Sequence, residues 1–228
     1  MTNQQPAPVA STQLSPGPEV FARYSTSMLS DALDEVGIAC VLPGVVAQLS
    51  DQARVAGHAY PVRFARKTGD PAAYRFGGGV GRPLEQVLKT MAAGQIVIFD
   101  LDGAPDAACW GGLASRLAQT KGVTGTVIWG ACRDVDEIRA LEYPVWSVAT
   151  CPRRSRNEFT FGSMGEPIAV GKVTIRPGDI LVGDATGVVC VPHDRAAEVL
   201  TLVERIAASE EEMEHQITSG TVVDWDKV

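Results

Sequence analysis

The sequence predicts a single α/β domain, and three observations lead to that prediction. First, strand-like and helix-like segments alternate from residue 95 to residue 148, as they do in β-α-β units. Second, short β-type segments separated by glycine turns follow Pro167. Third, the chain has 228 residues, of which 45% are hydrophobic and 21% are charged. That size and composition are typical of one globular domain.

The first 18 residues differ in composition from the rest. They are rich in Pro, Gln, Ser and Thr, so we expect a flexible tail over residues 1–18 and the α/β domain over residues 19–228. The tail has neither the basic start nor the apolar core of a secretory signal, and no apolar run approaches the ~18 residues that span a membrane. Five cysteines form no C-x-x-C pair. We therefore expect a cytoplasmic protein with reduced thiols and no membrane partner.

The elements of the first half follow from hydrophobic spacing and from helix and turn signals. In chain order they are a helix over residues 19–36, a strand over 54–64, a mobile glycine-rich loop over 66–82, a helix over 83–93 and a strand over 95–100 followed by a loop through Pro105. Gly37 ends the first helix, and Pro83 suits the first turn of the second. The strand QIVIFD has four consecutive apolar residues, which predicts that it is buried.

The second half alternates between helices and strands before it becomes β-rich. In order we predict a helix that follows Gly111-Gly112 and ends before Gly122, a strand over residues 124–130, a helix over 134–141, strands over 144–148, 168–170, 173–175, 180–182 and 188–191, and a long final helix that Asp194 opens. The apolar face of the final helix carries Ala197, Leu200, Val203 and Ile206.

Charge and histidine spacing argue against two classes of function, nucleic-acid binding and a histidine metal site. Lysine and arginine total 20 against 27 acidic residues, which gives a formal net charge of −7 at pH 7. Nucleic-acid-binding proteins normally carry a basic stripe, so we expect no nucleic-acid partner. His58, His193 and His215 are isolated and show none of the spacings of histidine metal sites.

The sharpest local motif is GACRD at residues 130–134, where a hydrophobic strand ends and a helix begins. Ligands of open α/β sheets bind at the carboxyl ends of the strands. Arg133 offers a planar fork of donors to a carboxylate or an enolate oxygen, and Asp134 offers a hard oxygen ligand to Mg²⁺ or Mn²⁺. A structural interpretation also fits the motif. Asp134 and Glu137 have the spacing of a capping box, and Arg133 could pair with a surface acid.

A second motif is the pair Gly111-Gly112 at the start of a predicted helix, followed by Leu113 and Ala114. Free backbone N–H groups and the positive end of the helix dipole favour a bound anion at such a place, and glycine lets the anion approach the backbone closely. The alternative is a glycine turn that only redirects the chain.

Three further features leave a functional and a structural interpretation open. Cys132 beside an arginine could be an activated thiolate, although no histidine base is near it in sequence and a buried thiol is favoured. The cluster of Arg153, Arg154 and Arg156 is either a solvated loop or the receptor for the far carboxylate of a dicarboxylic substrate. The acidic run at residues 210–212 is typical of a solvated helix face.

The motifs together resemble the RraA-like family, which contains 4-hydroxy-4-methyl-2-oxoglutarate/4-carboxy-4-hydroxy-2-oxoadipate aldolases and regulators of ribonuclease E. The resemblance runs from about Phe21 to Val222 and rests on SDALD at residues 30–34, WGGLAS at 110–115, GVTGTVIWGACRDVDEIRAL at 122–141 and VGKVTIRPGDILVGDATGVVCVP at 170–192. It implies an α/β domain of swivelling β/β/α type, here with a long C-terminal helix, that assembles as a homotrimer or a hexamer.

The resemblance also implies roles for individual residues. Asp134 would bind Mg²⁺ or Mn²⁺, and Arg133 would contact the keto oxygen that becomes an enolate. An acidic residue from a neighbouring subunit would lie near the metal-bound waters, and we assign Glu210 to that role. The pyruvyl carboxylate of the substrate would be held where the helix begins, by Gly111, Gly112, Leu113 and Ala114.

One position departs from the aldolase pattern. Aldolase members of the family carry Asp or Glu 21 positions before the arginine, where this chain has Gly112. Asp102 or Asp106 in the preceding loop could supply the missing carboxylate. Members that act as ribonuclease regulators often lose the acid that follows the arginine, whereas this chain keeps Asp134.

The sequence therefore predicts a divalent-metal-dependent carbon–carbon lyase for a small 2-oxo acid, either a pyruvate-releasing aldolase or an oxaloacetate decarboxylase. The rival hypothesis is a non-catalytic binding protein that regulates a ribonuclease or another partner. Asp134 separates the two, because a protein that only binds a partner needs no hard oxygen ligand in a cleft.

Overall fold

Strands and helices alternate through the centre of the chain in the computed structural model, which describes residues 15–49, 51–68 and 81–220. The helices are α1 (Pro18–Phe21), α2 (Thr26–Glu35), α3 (Gly81–Thr90), α4 (Gly112–Thr120), α5 (Val135–Ala140) and α6 (Ala196–Ser219). The strands are β1 (Val46–Ala47), β2 (Val55–Arg66), β3 (Gln95–Asp100), β4 (Ala108–Trp110), β5 (Gly125–Cys132), β6 (Val145–Thr150), β7 (Phe159–Met164), β8 (Ile168–Val170), β9 (Val173–Ile175), β10 (Ile180–Gly183) and β11 (Val188–Val191).

One mixed sheet organises the described part of the chain. Its path runs β1-β6-β5-β3-β2-β10-β11, with β4 beside β5 and β7 beside β2, while β8 and β9 form a separate hairpin. Strands β2, β3, β5 and β6 are parallel to one another, and β10 and β11 extend the sheet in antiparallel fashion. The parallel centre, the β-rich end and the long C-terminal helix confirm the predicted α/β class. The carboxyl ends of β3, β5 and β6 meet at one edge of the sheet.

Strand β3 is buried on both faces because each side of the sheet is covered. Val97 and Phe99 face a core that includes residues of α3, α4 and α5. Ile96 and Ile98 face the second core, which includes the β8–β9 hairpin. Complete burial of a side chain of this kind contributes about 1.5–3 kcal/mol. A third core joins α2 and α6 to β10 and β11.

The prediction of a single helix over residues 19–36 is wrong. The chain leaves the helical path between α1 and α2, because Ser25 has an extended backbone and its Oγ accepts a hydrogen bond from the Met28 N–H at 3.1 Å. Asp184 also accepts hydrogen bonds from the Thr26 N–H at 2.9 Å and from Thr26 Oγ1 at 2.8 Å. A new helix therefore starts at Thr26, with a carboxylate at its positive end. Gly37 follows its end, as predicted.

The sheet contains three strands that the sequence does not predict, β1, β4 and β7. The short strand β4 follows the predicted loop and pairs with Ala131 and Cys132, which extends β5 two residues past Gly130. Strand β7 pairs with β2, and β1 pairs with β6. Arg133 is consequently the first residue after β5.

The final helix begins later than predicted. A single 3-10 turn over His193–Arg195 precedes α6, which starts at Ala196. Of the predicted apolar face, Val203 is buried and Leu200 and Ile206 pack against the third core, whereas Ala197 is exposed. Ala196 and Val199 are the other buried residues of the helix. None of the described helices, α6 included, is long and apolar enough to cross a membrane.

Two predictions fall on residues outside the described ones. Residues 1–14 of the expected tail and residues 69–80 of the expected loop belong to this group. The helix expected over residues 83–93 is α3, which begins at Gly81 and ends at Thr90.

Candidate active site

A cleft of about 310 Å³ lies where β4 and β5 end. Both predicted motifs line it: Gly111, Leu113 and Ala114 belong to the start of α4, while Arg133 and Asp134 follow β5. The position agrees with the general rule that α/β sheets bind ligands at the carboxyl ends of their strands. The structure therefore brings together residues that lie about 20 positions apart in the sequence.

The first turn of α4 is held in place by Trp110. The Trp110 ring is buried and packs against Phe99, with ring centroids 5.3 Å apart. Its Nε1 donates to Ser115 Oγ at 2.8 Å, and that hydroxyl donates to the Gly111 carbonyl at 3.1 Å. The first-turn amides of a helix have no acceptor within the helix. This fixed turn therefore offers N–H donors and the positive end of the helix dipole to an anion in the cleft.

Asp134 does not cap the helix that it precedes. Its backbone is left-handed, with φ 54° and ψ 41°, and its side chain makes no capping bond to α5. Instead Oδ2 accepts a hydrogen bond from the Gly112 N–H at 3.3 Å and lies 3.4 Å from Arg133 Nε. The capping-box interpretation of Asp134 and Glu137 is thus wrong. A left-handed non-glycine residue costs about 1–3 kcal/mol, and such residues cluster at functional sites.

Two carboxylates explain why residues 111 and 112 are glycines. A Cβ on Gly111 would contact the Asp134 carboxylate and would lie 3.1 Å from Arg133 Cγ. A Cβ on Gly112 would lie 2.8 Å from both Cβ and Cδ of Glu137. The Glu137 side chain therefore occupies the space that a side chain at position 112 would enter.

Glu137 places an acidic side chain beside Gly112, where aldolase members carry Asp or Glu. From the sequence alone, Glu137 is interpreted only as the capping-box partner of Asp134. Position 137 lies 25 residues from position 112, so no local motif connects them. Asp106, one of the two alternatives, is instead paired with Arg66 at 2.6 Å. That hydrogen bond lowers the pKa of the Asp106 carboxyl. The structure gives no contact of Asp102 with Gly112, and its N–H donates to Asp100 Oδ1 at 2.8 Å.

The basic cluster after β6 is divided between two environments. Arg154 and Arg156 line the cleft, while Arg153 pairs with Glu158 at 3.6 Å. Ser155 lies between the two cleft arginines and is 1% exposed. No sequence motif selects this serine, because only the folded structure shows that it is buried.

The cysteines are free thiols, and Cys132 is not activated. Burial raises the pKa of the Cys132 thiol, which also shares a hydrogen bond with Ser147 Oγ at 3.3 Å. A nucleophilic cysteine needs a lowered pKa instead. Cys40, Cys109 and Cys190 are likewise buried, so the interpretation of these thiols as small apolar residues fits the structure.

Glu210 lies apart from the cleft within one chain. It borders a separate cavity on the exposed part of α6, together with Met28, Met213 and Ile217. The role that the resemblance implies for Glu210 belongs to a neighbouring subunit, so it stays a prediction.

Comparison with known proteins identifies the family to which this chain belongs. The family model described as Aldolase/RraA matches residues 26–190, a range that contains α4, β5 and both motifs. The chain belongs to the RraA-like family. This confirms the resemblance that the sequence motifs indicated.

Relatives of this RraA-like chain carry names from two classes. A protein of Thermus thermophilus named 4-hydroxy-4-methyl-2-oxoglutarate aldolase is 34% identical over 152 residues, which cover 67% of this chain and 84% of that protein. The crystal structure of RraAS2 from Streptomyces coelicolor, described as an unusual member of the RNase ES inhibitor RraA protein family, has a TM-score of 0.77 at 28% identity. The match covers 87% of this chain and 96% of the RraAS2 chain.

A third relative is much longer than this chain. Protein DlpA of Legionella pneumophila is 30% identical over 200 residues, or 88% of this chain. The chain spans only 31% of the length of DlpA. The match therefore concerns one part of that protein.

Proposed function

We propose that this RraA-like chain is a carbon–carbon lyase that releases pyruvate from small 2-oxo acids, as an aldolase, an oxaloacetate decarboxylase or both. The observation that supports the proposal is the meeting of Arg133, Asp134 and the first turn of α4 in one cleft. These supply a forked cation, a hard oxygen ligand and backbone donors. The set suits a substrate in which a carboxylate adjoins a keto group.

In the proposed reaction, Arg133 stabilises charge on the keto oxygen. The bond between C3 and C4 of the substrate breaks, and its electron pair moves into the three-carbon unit, so the keto oxygen gains negative charge. A guanidinium that donates to this oxygen binds the developing enolate more tightly than the ketone. Backbone amides of Leu113 and Ala114 hold the adjacent carboxylate and thereby orient the keto group.

Asp134 is the residue proposed to hold Mg²⁺ or Mn²⁺. Among the described residues, no three His, Cys, Asp or Glu side chains form a cluster that could hold a metal ion alone. One carboxylate in an open cleft fits a hard cation that keeps several waters and takes further oxygens from substrate. When bound, such an ion supplies Lewis-acid polarisation of the substrate oxygens.

Glu137 is proposed as the base for aldol cleavage. That reaction removes the proton of the C4 hydroxyl as the C3–C4 bond breaks, and C3 of the enolate later takes up a proton. The Glu137 carboxylate is exposed and borders Gly112 at the start of α4. Decarboxylation of oxaloacetate needs no such base, because carbon dioxide leaves from a carboxylate that is already ionised.

A matched pair of aspartates tests the proposal. We expect pyruvate release from a panel of 2-oxo acids in the presence of Mg²⁺ or Mn²⁺, its loss with EDTA, and its return with either ion. Asp134→Asn should abolish this activity. Asp136→Asn should leave it intact, because Asp136 is fully exposed and pairs only with Arg139 at 3.8 Å among the described residues. Full activity in metal-free protein would contradict the role of Asp134.

We also propose that the chain forms a trimer or hexamer in which Glu210 reaches the cleft of a neighbour. The buried residues of α6 end at Val203, and Ile217 near its end is 58% exposed, which suits a covering subunit. Mixed oligomers of Glu210→Ala and Asp134→Ala subunits should then regain part of the activity that each variant lacks. Mixtures without any recovery would remove Glu210 from the site.

The likeness to RraAS2 favours a second candidate function, a non-catalytic regulator of a ribonuclease. In that case no 2-oxo acid in the panel releases pyruvate, and Mg²⁺ leaves the melting temperature unchanged. A cation that binds the folded lyase raises the melting temperature, because a ligand of the native state stabilises it. The two measurements together separate the candidates.

A further inference from the structure

A second cavity, of about 390 Å³, lies at the edge of the sheet opposite the cleft. It is bordered by residues that follow β1 and by residues between α5 and β6. Because β5 and β6 are parallel, the start of β6 and the carboxyl end of β5 lie at opposite edges of the sheet. The volume falls in the range of about 300–1,000 Å³ that is typical of small-molecule sites. This cavity takes no part in the proposed reaction.

The walls of this cavity are fixed by hydrogen bonds. The Gln48 N–H donates to the Val145 carbonyl at 2.8 Å, and Arg139 Nε donates to the Gln48 carbonyl at 3.0 Å. On the other side, Gln119 Nε2 donates to the Leu141 carbonyl at 2.8 Å. The segment after β1 is thus tied to β6 and to α5, so the fold sets the positions of the walls.

Gln52 gives the direct indication of a ligand. The residue lines the cavity and is 7% exposed. Its Nε2 donates to the Ala53 carbonyl at 2.9 Å, but its Oε1 is buried and has no hydrogen-bond partner among the described residues. Buried acceptors in native proteins are almost always paired, and an unpaired one is unfavourable. An N–H donor from a ligand in the cavity would supply the missing partner.

Two carboxylates on the same lining are also without partners. Asp51 and Glu142 are exposed, and neither forms an ion pair with a basic side chain in the part of the chain that the structure describes. Arg139 lines the cavity too, but its Nε is bonded to the Gln48 carbonyl and its Nη1 lies 3.8 Å from Asp136. The two carboxylates and Gln52 Oε1 therefore favour a ligand with positive charge and several N–H donors.

An organic cation suits this cavity better than a metal ion. No three His, Cys, Asp or Glu side chains of the described residues form a cluster that could hold a metal. The cavity is also much larger than the volume of about 30 Å³ that one water molecule occupies in the liquid. Leu49 and Pro144 belong to its lining and suit methylene groups. An ammonium group donates three hydrogen bonds, one for each acceptor.

We propose that this cavity binds a small molecule that carries a protonated primary amine. The ammonium group donates to Gln52 Oε1 and to the carboxylates of Asp51 and Glu142, while the methylene groups pack against Leu49 and Pro144. The inference goes beyond the proposed lyase and does not depend on it, because the cavity and the cleft share no lining residue.

Two probes that differ only in their end groups test this proposal. 1,4-Diaminobutane and 1,4-butanediol share a four-carbon chain, and only the diamine is charged at neutral pH. We expect calorimetric titration of the full chain at low salt to show at least about 10-fold tighter binding of the diamine, since hydrogen bonds to charged groups exceed neutral ones by about that factor. Equal binding of the two probes, or no binding of the diamine, would refute the site. Tight binding of calcium chloride instead of the diamine would make it a metal site.

The carboxylates are tested with a control of equal charge. Asp51→Asn and Glu142→Gln should each weaken binding of the diamine several-fold, and both residues are exposed, so the variants should fold. Asp136→Asn removes the same unit of charge near Arg139, but Asp136 does not line the cavity. It should bind the diamine like the natural chain. An equal loss in Asp136→Asn would show that only the negative net charge attracts the diamine.

The buried amide is tested with a second matched pair. Gln52→Met keeps the length of the side chain and removes Oε1, so it should weaken binding of the diamine several-fold. Gln48 is also 7% exposed and its Nε2 donates to the Val46 carbonyl at 3.1 Å, but Gln48 does not line the cavity. Gln48→Met should therefore keep the affinity, whereas a merely structural role predicts the same behaviour in both variants. Unchanged affinity in Gln52→Met would exclude Oε1 as an acceptor of the ligand.

A lysine side chain of a second copy carries the same ammonium group. Light scattering with and without the diamine separates the two sources. We expect the mass of the particle to stay the same, as it does when a free amine is the ligand. A mass that falls as the diamine is added would assign the site to a lysine of a second copy and overturn the proposal of a small-molecule ligand.

Discussion

Two aspartates in different regions of the sheet make opposite use of the same side chain. Asp184, in the turn between β10 and β11, has a side chain that is 11% exposed and accepts hydrogen bonds from Thr26 N–H, Thr26 Oγ1 and the Thr186 N–H at 2.8–2.9 Å. Asp134, after β5, has a side chain that is 34% exposed and accepts one longer bond from the Gly112 N–H at 3.3 Å. The carboxylate of Asp184 has its hydrogen-bonding capacity filled by protein donors, whereas the carboxylate of Asp134 keeps oxygen lone pairs for a ligand.

The environments of the two carboxylates explain this difference. Burial alone would raise the pKa of Asp184, but the hydrogen bonds from Thr26, Thr186 and Gly187 outweigh burial, so that its pKa is lowered. Those bonds attach the start of α2 to the sheet. Asp134 instead has a strained left-handed backbone that turns its carboxylate toward Gly112. The comparison predicts that variants of the first region lose stability and variants of the second lose activity.

The largest expected effect is on catalysis at Arg133. Lysine keeps the positive charge of Arg133 but loses the fork of donors. We expect Arg133→Lys to lower kcat/KM by about 100-fold or more, as loss of one donor to a developing oxyanion does, with little change in melting temperature. Arg116→Lys is the control, since Arg116 is an exposed residue of α4 outside the cleft lining. Near-normal turnover in Arg133→Lys would assign Arg133 to structure.

The second effect is on stability at Asp184. Asparagine in place of Asp184 weakens hydrogen bonds to a charged acceptor, which are worth about 1.5–3 kcal/mol. We expect Asp184→Asn to lose about 2 kcal/mol of unfolding free energy and about 4–8 °C in melting temperature, while activity per folded molecule is kept. An unchanged melting temperature would show that the bonds around Asp184 do not stabilise the fold.

Acid should remove this difference between the natural chain and Asp184→Asn. The pKa of Asp184 is lower in the folded chain than its usual value of about 3.9 in the unfolded chain. The stabilisation is therefore complete above that unfolded value and is lost as the pH falls through the folded value. Urea titrations from pH 7 to pH 3 should show the gap between the two proteins closing below about pH 4. A gap independent of pH would mean that the ionised form is not what matters.

The comparison of the two aspartates also shows what the sequence can and cannot predict. The strands around β3 and β5, the β8–β9 hairpin and the position of Asp134 at a strand end follow from hydrophobic pattern and turn residues. The break before α2 does not, because it depends on Asp184 from 158 residues away, although Ser25 is a visible capping signal. Sequence patterns depend on the spacing of residues along the chain. They do not reveal contacts between residues that are far apart in the sequence and meet only in the folded sheet.

The same limit applies to the residues in and around the cleft. Arg133, Asp134 and the glycine pair could be selected because each stands in a short motif at a strand or helix end. Ser155 and Glu137 could not, since the first matters through burial without a partner and the second through contact with Gly112. The strand β7 was missed for a related reason. In its sequence FTFGSM, apolar and polar residues alternate only partly and one residue is glycine, so neither face of the strand is continuously apolar.

The smallest expected effect is on the ratio of decarboxylase to aldolase activity, and it follows from the proposed role of Glu137 as a base. If Glu137 takes the C4 hydroxyl proton, Glu137→Gln should slow aldol cleavage more than oxaloacetate decarboxylation, because only cleavage needs a base. We expect the ratio of decarboxylase to aldolase activity to rise about 10-fold, a modest share of what general bases contribute. Steady-state kinetics with 4-hydroxy-4-methyl-2-oxoglutarate and with oxaloacetate measures this ratio. Glu142→Gln is a control, as Glu142 borders a separate cavity, whereas Glu137 borders Gly112.

Loss of the Glu137 carboxylate is expected to raise the ratio of decarboxylase to aldolase activity. A carboxylate at position 112 should lower this ratio again only when Glu137 is replaced by a residue with a shorter side chain. In Gly112→Asp alone, the new Cβ would lie 2.8 Å from Glu137 Cβ, so one side chain must shift and the melting temperature should fall. Combining Gly112→Asp with Glu137→Ala keeps the contact with the Cβ of residue 137 but removes the contact with the Glu137 carboxyl group, whose Cδ lies 2.8 Å from the same position. The double variant thereby restores one acid beside the start of α4. We expect the double variant to melt above Gly112→Asp and to have a lower decarboxylase-to-aldolase ratio than Glu137→Ala. Equal ratios in the double variant and in Glu137→Ala would show that a carboxylate at this place does not handle the hydroxyl proton, and that another group is the base.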